Sequence, residues 1–397
     1  MRSRRVASLM AGIALVASGA AGCGSSEDDS SPGTATAAEP AGAGGGLVAE
    51  AKKNVEANYA GTDRALPASS PKPATGKSVW IITCSANAEG CSAPAAGAAE
   101  AAKLLGWTTK TVDGKLDPAT FNASVRAAVA AKADAVMLVS VDCGLTKASL
   151  QAAKKAGVKV ASLYAQDCDD RYAGGGAPLF DSTLGYAEGT TYTDWLDGPY
   201  SQSIADYVIA KSDGKAKVIA MQEDDVSTVR HIGVGFVARM KRCSGCEVTT
   251  VPFTGADFLN GKLAAKTQTA LTQHPDATFV FAPYDASVSL GIGAGVKASG
   301  RDKQITLVGG EGLTPNIAMI KSGTGQDFAA GAPARWAGWA AIDELNRAFA
   351  GAPPVDEGLG LQSIDKDHNI PTKTTFYDGN AKSDYEANFR KIWGLGS

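Results

Sequence analysis

Cysteines are the most reactive side chains in the 397-residue sequence, and their neighbours decide what chemistry they could do. Apart from Cys23, the chain contains Cys84, Cys91, Cys143, Cys168, Cys243 and Cys246. A nucleophilic thiolate would need a histidine base, and the chain's histidines lie beside an arginine or near turn segments: His231, His274 and His368. Zinc at Cys243 and Cys246 would need two further soft ligands, and a redox Cys-x-x-Cys normally begins a helix after a strand. The sequence therefore favours disulfides over a nucleophile, a zinc site or a redox centre.

The amino terminus carries the pattern of an export signal. The basic start MRSRR is followed by the mostly apolar stretch VASLMAGIALVASGA and by Ala-Ala-Gly before Cys23. An apolar stretch of about fifteen residues is too short to span a membrane comfortably. The end of the signal is similar to the bacterial lipobox, so residues 1–22 are predicted as a signal peptide and Cys23 as a lipid anchor. We therefore expect the protein in the cell envelope, at the outer face of the cytoplasmic membrane, with plain secretion as the alternative.

The segment that follows the signal is rich in Gly, Ser, Pro and acidic residues and poor in large apolar ones. Because such a composition cannot repay its ordering entropy, residues 23–76 are predicted as a flexible tether that could contain a short helix at 47–59. The whole chain has a formal net charge of -3. This mildly acidic balance gives no sign of a surface that binds polyanions, so no nucleic-acid partner is expected.

Strand-like and helix-like segments alternate from about residue 77 onward, and this alternation predicts the fold. β-rich apolar runs occupy 79–84, 108–112, 135–141, 158–164, 217–222, 247–253, 278–284 and 305–310. Alanine-rich helical stretches between the runs indicate βαβ units with parallel strands. Because the pattern occurs twice and is too long for one core, we expect an α/β fold of two doubly wound parallel-sheet lobes joined by a multi-strand hinge. The predicted amino-terminal lobe is 77–195 plus 333–360, and the predicted carboxy-terminal lobe is 196–332 plus 361–397.

Three disulfides are expected from six cysteines in an exported chain. The sequence by itself allows fifteen sets of pairings. Within the predicted fold, Cys84 and Cys91 flank one loop, and Cys143 and Cys168 follow neighbouring strands. The remaining pair, Cys243 and Cys246, closes a turn from a helix to a strand. The loop between Cys84 and Cys91 is therefore expected to be the stapled edge of a pocket, which a disulfide orders before any ligand binds.

Polar and aromatic residues occur where the predicted strands end. In parallel α/β sheets, ligands bind at the carboxyl ends of the strands. The candidate ligand-binding residues at these ends are Ser85, Asn87, Asp142, Tyr164, Phe258, Tyr284, Asp285 and Glu311. Two facing lobes with such residues predict a cleft for a small polar molecule. A structural alternative exists for each, since acids also cap helices and aromatics also pack in cores, as is expected of Trp336 and Trp339.

Taken together, these segments resemble type I periplasmic binding proteins of the ribose- and galactose-binding class, the solute receptors of ABC importers. The resemblance covers roughly residues 77 to 378 and is carried, in this order, by GKSVWIITC, AVMLVSVD, ADYVIAKSDGKAKVIAMQ, VRHIGVGF and LVGGEG. It implies a monomeric, non-enzymatic receptor without cofactor or metal, whose lobes close on a small polar solute, with a sugar as the expected ligand. It also implies the membrane permease subunits of an importer as partners.

Four residues match positions that contact sugars in that class. Arg230, in VRHIGVGF, falls on an arginine that donates to sugar hydroxyls, a role suited to the fixed fork of guanidinium donors. Phe258 falls on an aromatic residue that stacks on the sugar ring. Asp285 lies close to an Asn-Asp pair, and Glu311 stands where an aspartate accepts hydrogen bonds. The alternative for Arg230 is a cap or an ion pair at the start of a helix.

Other positions depart from the pattern of that class. Ser85 and Asn87 stand where an aromatic pair is usual after the first strand. Tyr164 replaces an aspartate after the fourth strand, and Tyr284 replaces an asparagine. Ribose is therefore not the expected ligand. A site with more aromatic surface suits a larger or deoxygenated sugar, or a polar compound of another class.

Other functions compete with an importer component. A receptor that senses its ligand and signals to a membrane partner would use the same closure, and a neighbouring permease gene would separate the two. An enzyme such as a hydrolase with paired carboxylates is disfavoured, because Asp142 and Glu311 lack a recognisable partner motif. A cytosolic sugar-responsive repressor is excluded by the export signal and by the lack of a DNA-binding helix pair before residue 77.

Overall fold

The computed structural model of the chain describes residues 43–187, 189–380 and 382–396, so the predicted signal peptide, Cys23 and the first part of the tether lie outside the described residues. The strands are β1 (Ser78–Thr83), β2 (Thr108–Asp113), β3 (Ala135–Val139), β4 (Lys159–Leu163), β5 (Lys217–Glu223), β6 (Glu247–Phe253), β7 (Phe279–Ala282), β8 (Thr306–Gly309), β9 (Phe328–Gly331) and β10 (Gln362–Asp365). The helices are α1 (Ala43–Ala60), α2 (Glu89–Leu104), α3 (Pro118–Ala130), α4 (Lys147–Lys155), α5 (Tyr192–Trp195), α6 (Ser201–Lys211), α7 (Ser227–Met240), α8 (Gly255–Leu259), α9 (Leu263–Gln273), α10 (Asp285–Ser287), α11 (Gly293–Ala298), α12 (Thr314–Ser322), α13 (Ala334–Ala350) and α14 (Tyr385–Ile392). Among these described helices, none combines the length and the apolar character that crossing a membrane requires.

Two separate sheets form the centres of two lobes. The first sheet has the strand order β2-β1-β3-β4 and is parallel throughout. The second has the order β10-β9-β8-β7-β5-β6, and only β10 runs antiparallel to its neighbour β9. β1 and β3 pair with Ile81 opposite Met137, and consecutive residues of both strands are buried, as expected when helices cover both faces of a sheet. The predicted α/β fold with parallel-sheet lobes is confirmed.

Local signals in the sequence set the ends of several helices. Asp117 accepts hydrogen bonds from the backbone amides of Ala119 and Thr120, and Pro118 occupies the first turn of α3. Gly351 ends α13 in the left-handed conformation, with φ at 67°. Helix ends of this kind return the chain to the next strand and so keep the strand ends of each lobe on one side.

α13 follows the second sheet in the chain but packs on the first lobe. Its glycine permits close contact with α2, because a side chain added at Gly338 would collide with the α2 backbone, and one at Gly97 would collide with the backbone of Arg335. Trp336 and Trp339 of this helix are fully buried, as expected for core residues. The chain therefore crosses between the lobes between β4 and α6, between β9 and α13 and between α13 and β10, and it returns to the first lobe after β10, because α14 packs on α13.

Residues 43–76 are packed against the lobes and do not form the flexible tether that their composition predicts. α1 contains the expected helix at 47–59, and its apolar stripe of Leu47, Ala51 and Val55 is buried where the helix contacts α6 and β10. Farther along, the backbone amide of Ala74 donates a hydrogen bond to the side chain of Asn346 in α13. Composition misled here because apolar residues at four-residue spacing suffice to dock a helix even when the segment contains few of them.

Three disulfides join the predicted partners: Cys84 with Cys91, Cys143 with Cys168, and Cys243 with Cys246. The Cα atoms of the pairs are 5.6, 5.0 and 5.3 Å apart, within the usual range for a disulfide. The first two disulfides lie at the carboxyl ends of the strands in the first sheet. The third lies between α7 and β6, at the opposite end of the strands in the second sheet.

Candidate functional site

The strand ends of the two sheets face each other across a cleft, and hydrogen bonds between the lobes close it. Thr314, at the start of α12 in the second lobe, donates from its backbone amide and its hydroxyl to the carboxylate of Glu89 in α2, at 2.9 and 2.7 Å. Glu311 also approaches the first lobe, since a Cβ added at Gly90 would lie 2.9 Å from its carboxylate oxygen. The loops after the strands of both sheets are therefore in contact in this closed arrangement.

Asp142 makes a second bridge between the lobes. It follows β3, and its carboxylate accepts a hydrogen bond from the backbone amide of Gln166 at 2.8 Å. The hydroxyl of Thr228, in the first turn of α7, donates to the same carboxylate at 2.9 Å, and its backbone amide does so at 3.2 Å. Burial raises the pKa of Asp142 despite these hydrogen bonds, which favour the charged form. Both oxygens therefore have protein partners, and direct ligand contact by Asp142 stays a prediction.

Asp285 and Glu311 form an acidic pair at the ends of β7 and β8. The backbone amide of Asp285 donates to the Glu311 carboxylate at 3.1 Å, and the Asp285 carboxylate accepts from the amide of Leu313 at 2.7 Å. Burial raises the pKa of Asp285 to about 6. Burial and the neighbouring charge of Asp285 raise the pKa of Glu311 to about 8, so this carboxyl is largely protonated at neutral pH. Gly310 permits the arrangement, because a Cβ there would overlap the Asp285 carboxylate.

Aromatic rings adjoin this pair on the second lobe. Tyr284 precedes Asp285, and its ring meets the edge of Phe258 with centroids 6.0 Å apart. Glu223, at the end of β5, lies close to the Tyr284 phenol. Burial raises the pKa of Glu223 to about 7. This part of the site therefore combines ring surface with carboxyl groups that are at least partly neutral near pH 7.

Arg230 faces an aromatic residue of the first lobe. Its guanidinium carbon lies 4.3 Å from the centroid of the Tyr172 ring, a cation–π distance. The next residue, His231, has no exposed surface and is hydrogen-bonded to Asp170 at 2.8 Å and to Asp197 at 2.9 Å. Burial lowers the pKa of His231, but the hydrogen bonds and charges of the two carboxylates outweigh burial, and the net pKa is raised.

The loop between the first two disulfide-bonded cysteines forms one rim of the cleft. Ser85 is buried in this loop, and its hydroxyl accepts a hydrogen bond from the backbone amide of Asn87 at 3.2 Å. The side chain of Asn87 is exposed. The Asp113 carboxylate accepts from the amide of Ala86 at 2.9 Å and so fixes the loop from the neighbouring strand.

Tyr164 lies between the strand-end cluster and a cavity of about 840 Å³ beside β4. Its backbone φ is 59°, a left-handed conformation that is uncommon for a residue with a large side chain. Burial raises the pKa of its phenol well above the usual range, and the nearby charge of Glu311 adds to this effect. Tyr164 is the one candidate residue that lines the cavity.

The structure adds site residues that sequence patterns did not indicate. Glu223 could have been found, because an acid at the end of an apolar strand is unusual. Tyr172 and Asp170 could not, since they lie in an aperiodic stretch between β4 and α5. In the sequence, His231 could be noted only as the neighbour of Arg230. Nothing in the sequence predicts its hydrogen bonds to Asp170 and Asp197.

Metal binding has little support in the described residues. One cluster of potential ligands occurs there, formed by Cys143, Asp167 and Cys168. The two cysteines are joined in a disulfide, so neither offers a thiolate. The Asp167 carboxylate accepts hydrogen bonds from the backbone amides of Leu179 and Phe180. These groups are thus used in holding the loop after β4.

A family model described as a periplasmic binding protein domain matches residues 79–353. A solute-binding protein of an ABC transporter from Agrobacterium vitis, bound with α-D-tagatopyranose, has a similar structure, with a TM-score of 0.62 and 21% identity over 73% of this chain and 95% of that one. One from Mycobacterium smegmatis with bound glycerol has a TM-score of 0.62 and 19% identity, over 76% and 99% of the two chains. One from Actinobacillus succinogenes with bound D-allose has a TM-score of 0.60 and 18% identity, over 73% and 98%. No curated protein sequence gives a significant match.

Proposed function

The chain belongs to the family of periplasmic binding proteins, and on this basis we propose that it is the substrate-binding component of an ABC importer whose ligand is a sugar or a polyol. Membership of this family implies an extracytoplasmic location. The structural neighbours in complex with tagatopyranose, D-allose and glycerol support this class of ligand. In this proposal the protein binds its solute and releases it unchanged.

The observation that carries the proposal is the cluster of acids and aromatic rings where the strand ends meet. Burial raises the pKa of Glu311 to about 8 and that of Glu223 to about 7. A protonated carboxyl both donates and accepts hydrogen bonds, and it presents no net charge that would select an ion. Sugar hydroxyls match such groups, and the rings of Tyr284 and Phe258 offer the apolar surface that a sugar ring can cover.

The hydrogen bonds between the lobes support a mechanism of closure. The hydrogen bonds of Glu89 with Thr314 and of Asp142 with Thr228 join the two rims directly. A two-lobed protein of this kind samples open and closed states, and a ligand that contacts both lobes favours the closed one. The closed form is then the form presented to the permease subunits of the importer.

The location at the membrane forms the finer part of the proposal. The lipobox-like end of the signal supports Cys23 as the lipid anchor of a protein held at the outer face of the cytoplasmic membrane. The protein acts as a monomer in this proposal, and the permease subunits are its partners.

A thermal-shift screen of residues 24–397 with intact disulfides tests the ligand class. Pentoses, hexoses, polyols, nucleosides and amino acids are added singly at high concentration, because a ligand at 100 times its Kd stabilises the folded state by about 2.7 kcal/mol. We expect a sugar or a polyol to raise the melting temperature and Glu311→Ala to abolish the shift. Glu56→Gln, a change on the exposed face of α1, is the control that keeps it. A shift with amino acids and with no sugar or polyol would contradict the proposal.

A further inference from the structure

The cavity beside β4 has no role in the binding described so far. Its volume of about 840 Å³ lies within the range of about 300 to 1,000 Å³ typical of small-molecule sites. Tyr164 and Gln166 line it from the loop after β4, and Tyr186 and Tyr192 line it from the stretch at the start of α5. The stretch between α13 and β10 completes it with Asp356. The cavity is therefore lined by three separate parts of the chain.

The three tyrosines give the cavity a continuous aromatic surface. The ring centroids of Tyr164 and Tyr192 are 5.8 Å apart. Those of Tyr186 and Tyr192 are 6.0 Å apart, with the ring planes at 16° to each other. Neighbouring rings in this arrangement present faces and edges on which another ring can pack.

Polar groups in the same wall lack protein partners. Burial raises the pKa of all three phenols, and none of these three hydroxyls is hydrogen-bonded to another described side chain. Gln166 accepts a hydrogen bond from the Thr193 hydroxyl at 2.8 Å, whereas its side-chain nitrogen has no partner among the described residues. Gln166 and Tyr186 are only 3% and 6% exposed. Because an unpaired buried amide costs free energy, the side-chain nitrogen of Gln166 favours a ligand that accepts a hydrogen bond there, such as one with a hydroxyl group.

Three of the four acids that line the cavity have partners, and the fourth, Asp169, is exposed to solvent, so the lining does not call for a charged ligand. Asp170 is hydrogen-bonded to His231 at 2.8 Å. Asp356 accepts from the guanidinium of Arg64 at 2.7 Å. Asp167 accepts from backbone amides. A neutral group with a ring face and hydroxyls therefore fits the lining better than a cation does.

The cavity adjoins the cleft through two residues. The backbone amide of Gln166 donates to Asp142, whose carboxylate bonds to Thr228 in the second lobe. Tyr164 lies close enough to Glu311 for that charge to contribute to its raised pKa. The cavity and the cleft are therefore neighbours, and Tyr164 and Gln166 lie between them.

We propose that the cavity receives the second ring of a glycoside whose sugar ring occupies the cleft. The second ring is a neutral cyclic group, either another sugar or an aryl group, that packs on Tyr192 and Tyr164 and bonds to Gln166. This inference rests on the proposed function and extends it from single sugars to two-ring ligands. The shared wall then makes occupancy of the cavity add to the affinity of the cleft.

Isothermal titration calorimetry with matched ligands tests this proposal. Each sugar of the hexose and pentose panel is compared with its methyl glycoside, its phenyl glycoside and a disaccharide that carries it. We expect the two-ring ligands to bind about tenfold more tightly than the free sugar, and Tyr192→Ala to remove most of that gain while changing the affinity for the free sugar less than about twofold. Tyr192→Phe, which keeps the ring, retains the gain. Tyr284→Ala, on the cleft side, weakens both kinds of ligand.

Failure of this inference is distinct from failure of the proposed function. Free sugars that bind as tightly as all their glycosides, with Tyr192→Ala without effect on either, would overturn the second site and leave the importer proposal standing. No binding of any sugar or glycoside by folded protein would overturn both. If glycosides bind and free sugars do not, the result supports a second binding site in the cavity, provided that Tyr192→Ala abolishes glycoside binding. Melting curves of each variant confirm that the protein remains folded.

Discussion

The hydroxyl of Thr228 in the second lobe donates a hydrogen bond to the carboxylate of Asp142 in the first lobe at 2.9 Å. Neither residue belongs to the hinge, so this bond exists only while the cleft is closed. It therefore contributes to the free-energy difference between the open and closed states and, through it, to ligand affinity.

Removal of this bond should weaken ligand binding without loss of any ligand contact. For Thr228→Val we expect the Kd to rise about fivefold, because a hydrogen bond of about 1 kcal/mol no longer favours the closed state. Calorimetry measures the Kd, and small-angle scattering without ligand should show a larger radius of gyration. Thr228→Ser, which keeps the hydroxyl, is the matched control. An unchanged Kd in Thr228→Val would show that this hydrogen bond does not contribute to the stability of the closed state.

The disulfide between Cys84 and Cys91 should affect both stability and binding. Replacing both cysteines by serine is expected to lower the free energy of unfolding by about 2.5 kcal/mol, from the chain entropy of an eight-residue loop. The rim loop would then be ordered only on binding, so the Kd should also rise. The double serine variant of Cys243 and Cys246, at the far end of the second lobe, is the control that loses stability and keeps its Kd. Equal Kd values for both variants would show that ordering of the rim loop by the disulfide does not affect ligand binding.

The fully buried His231 should make stability depend on pH. Its folded-state pKa is raised, because hydrogen bonds to Asp170 and Asp197 outweigh burial. Its contribution is therefore fully present below the ordinary pKa of about 6.5 and is lost as the pH rises through the raised value. We expect the stability difference between wild type and His231→Gln, measured by urea unfolding, to shrink as the pH rises from 6 to 9. A pH-independent difference for His231→Gln would contradict this assignment.

A pair of buried acids should produce a second pH effect of known sign. Glu357 is fully buried, and burial together with the charges of Asp343 and Glu344 raises its pKa. Burial also raises the pKa of Glu344 to about 7. The folded state therefore binds more protons than the unfolded state, and stability falls as the pH rises from about 4.5 towards the raised values.

Removal of one of these acids should reduce the fall in stability as the pH rises. Between pH 5.5 and 8.5 we expect the melting temperature of Glu357→Gln to fall less than that of the wild type, because the amide needs no proton to stay neutral. Glu56→Gln, at an exposed position, should fall as the wild type does. Parallel curves for Glu357→Gln and wild type would show that Glu357 is not protonated in the folded state.

Periodic segments made much of this fold predictable. The strand runs and the capping pattern at Asp117 depend on neighbours in the sequence, and the pairing of Cys143 with Cys168 follows once β3 and β4 are placed side by side. Strand ends likewise identified Tyr284, Asp285 and Glu311 as neighbours, because parallel strands bring their carboxyl ends to one edge.

Contacts between distant aperiodic segments were not predictable in this way. Tyr172 lies 58 positions before Arg230 in a loop without a repeating pattern, and only the closed arrangement of the lobes brings the two together. The same holds for Tyr186 and Tyr192, whose stretch has neither the twofold period of a strand nor a long helical stripe. Ligand contact by the candidate residues remains a prediction for the same reason, since it depends on a molecule that supplies its own geometry.

The packed amino-terminal segment has a mechanical consequence. α1 lies on α6 of the second lobe, and farther along the chain the carbonyl of Pro71 and the amide of Ala74 bond to Asn346 of the first lobe. This segment is a further connection between the lobes, in addition to the crossovers that follow β4. Two bodies joined along a narrow line can both swing and twist, whereas an additional strap resists the twist. We therefore expect the lobes to open by rotation about one principal hinge axis. The two rims would then meet in the same register at every closure.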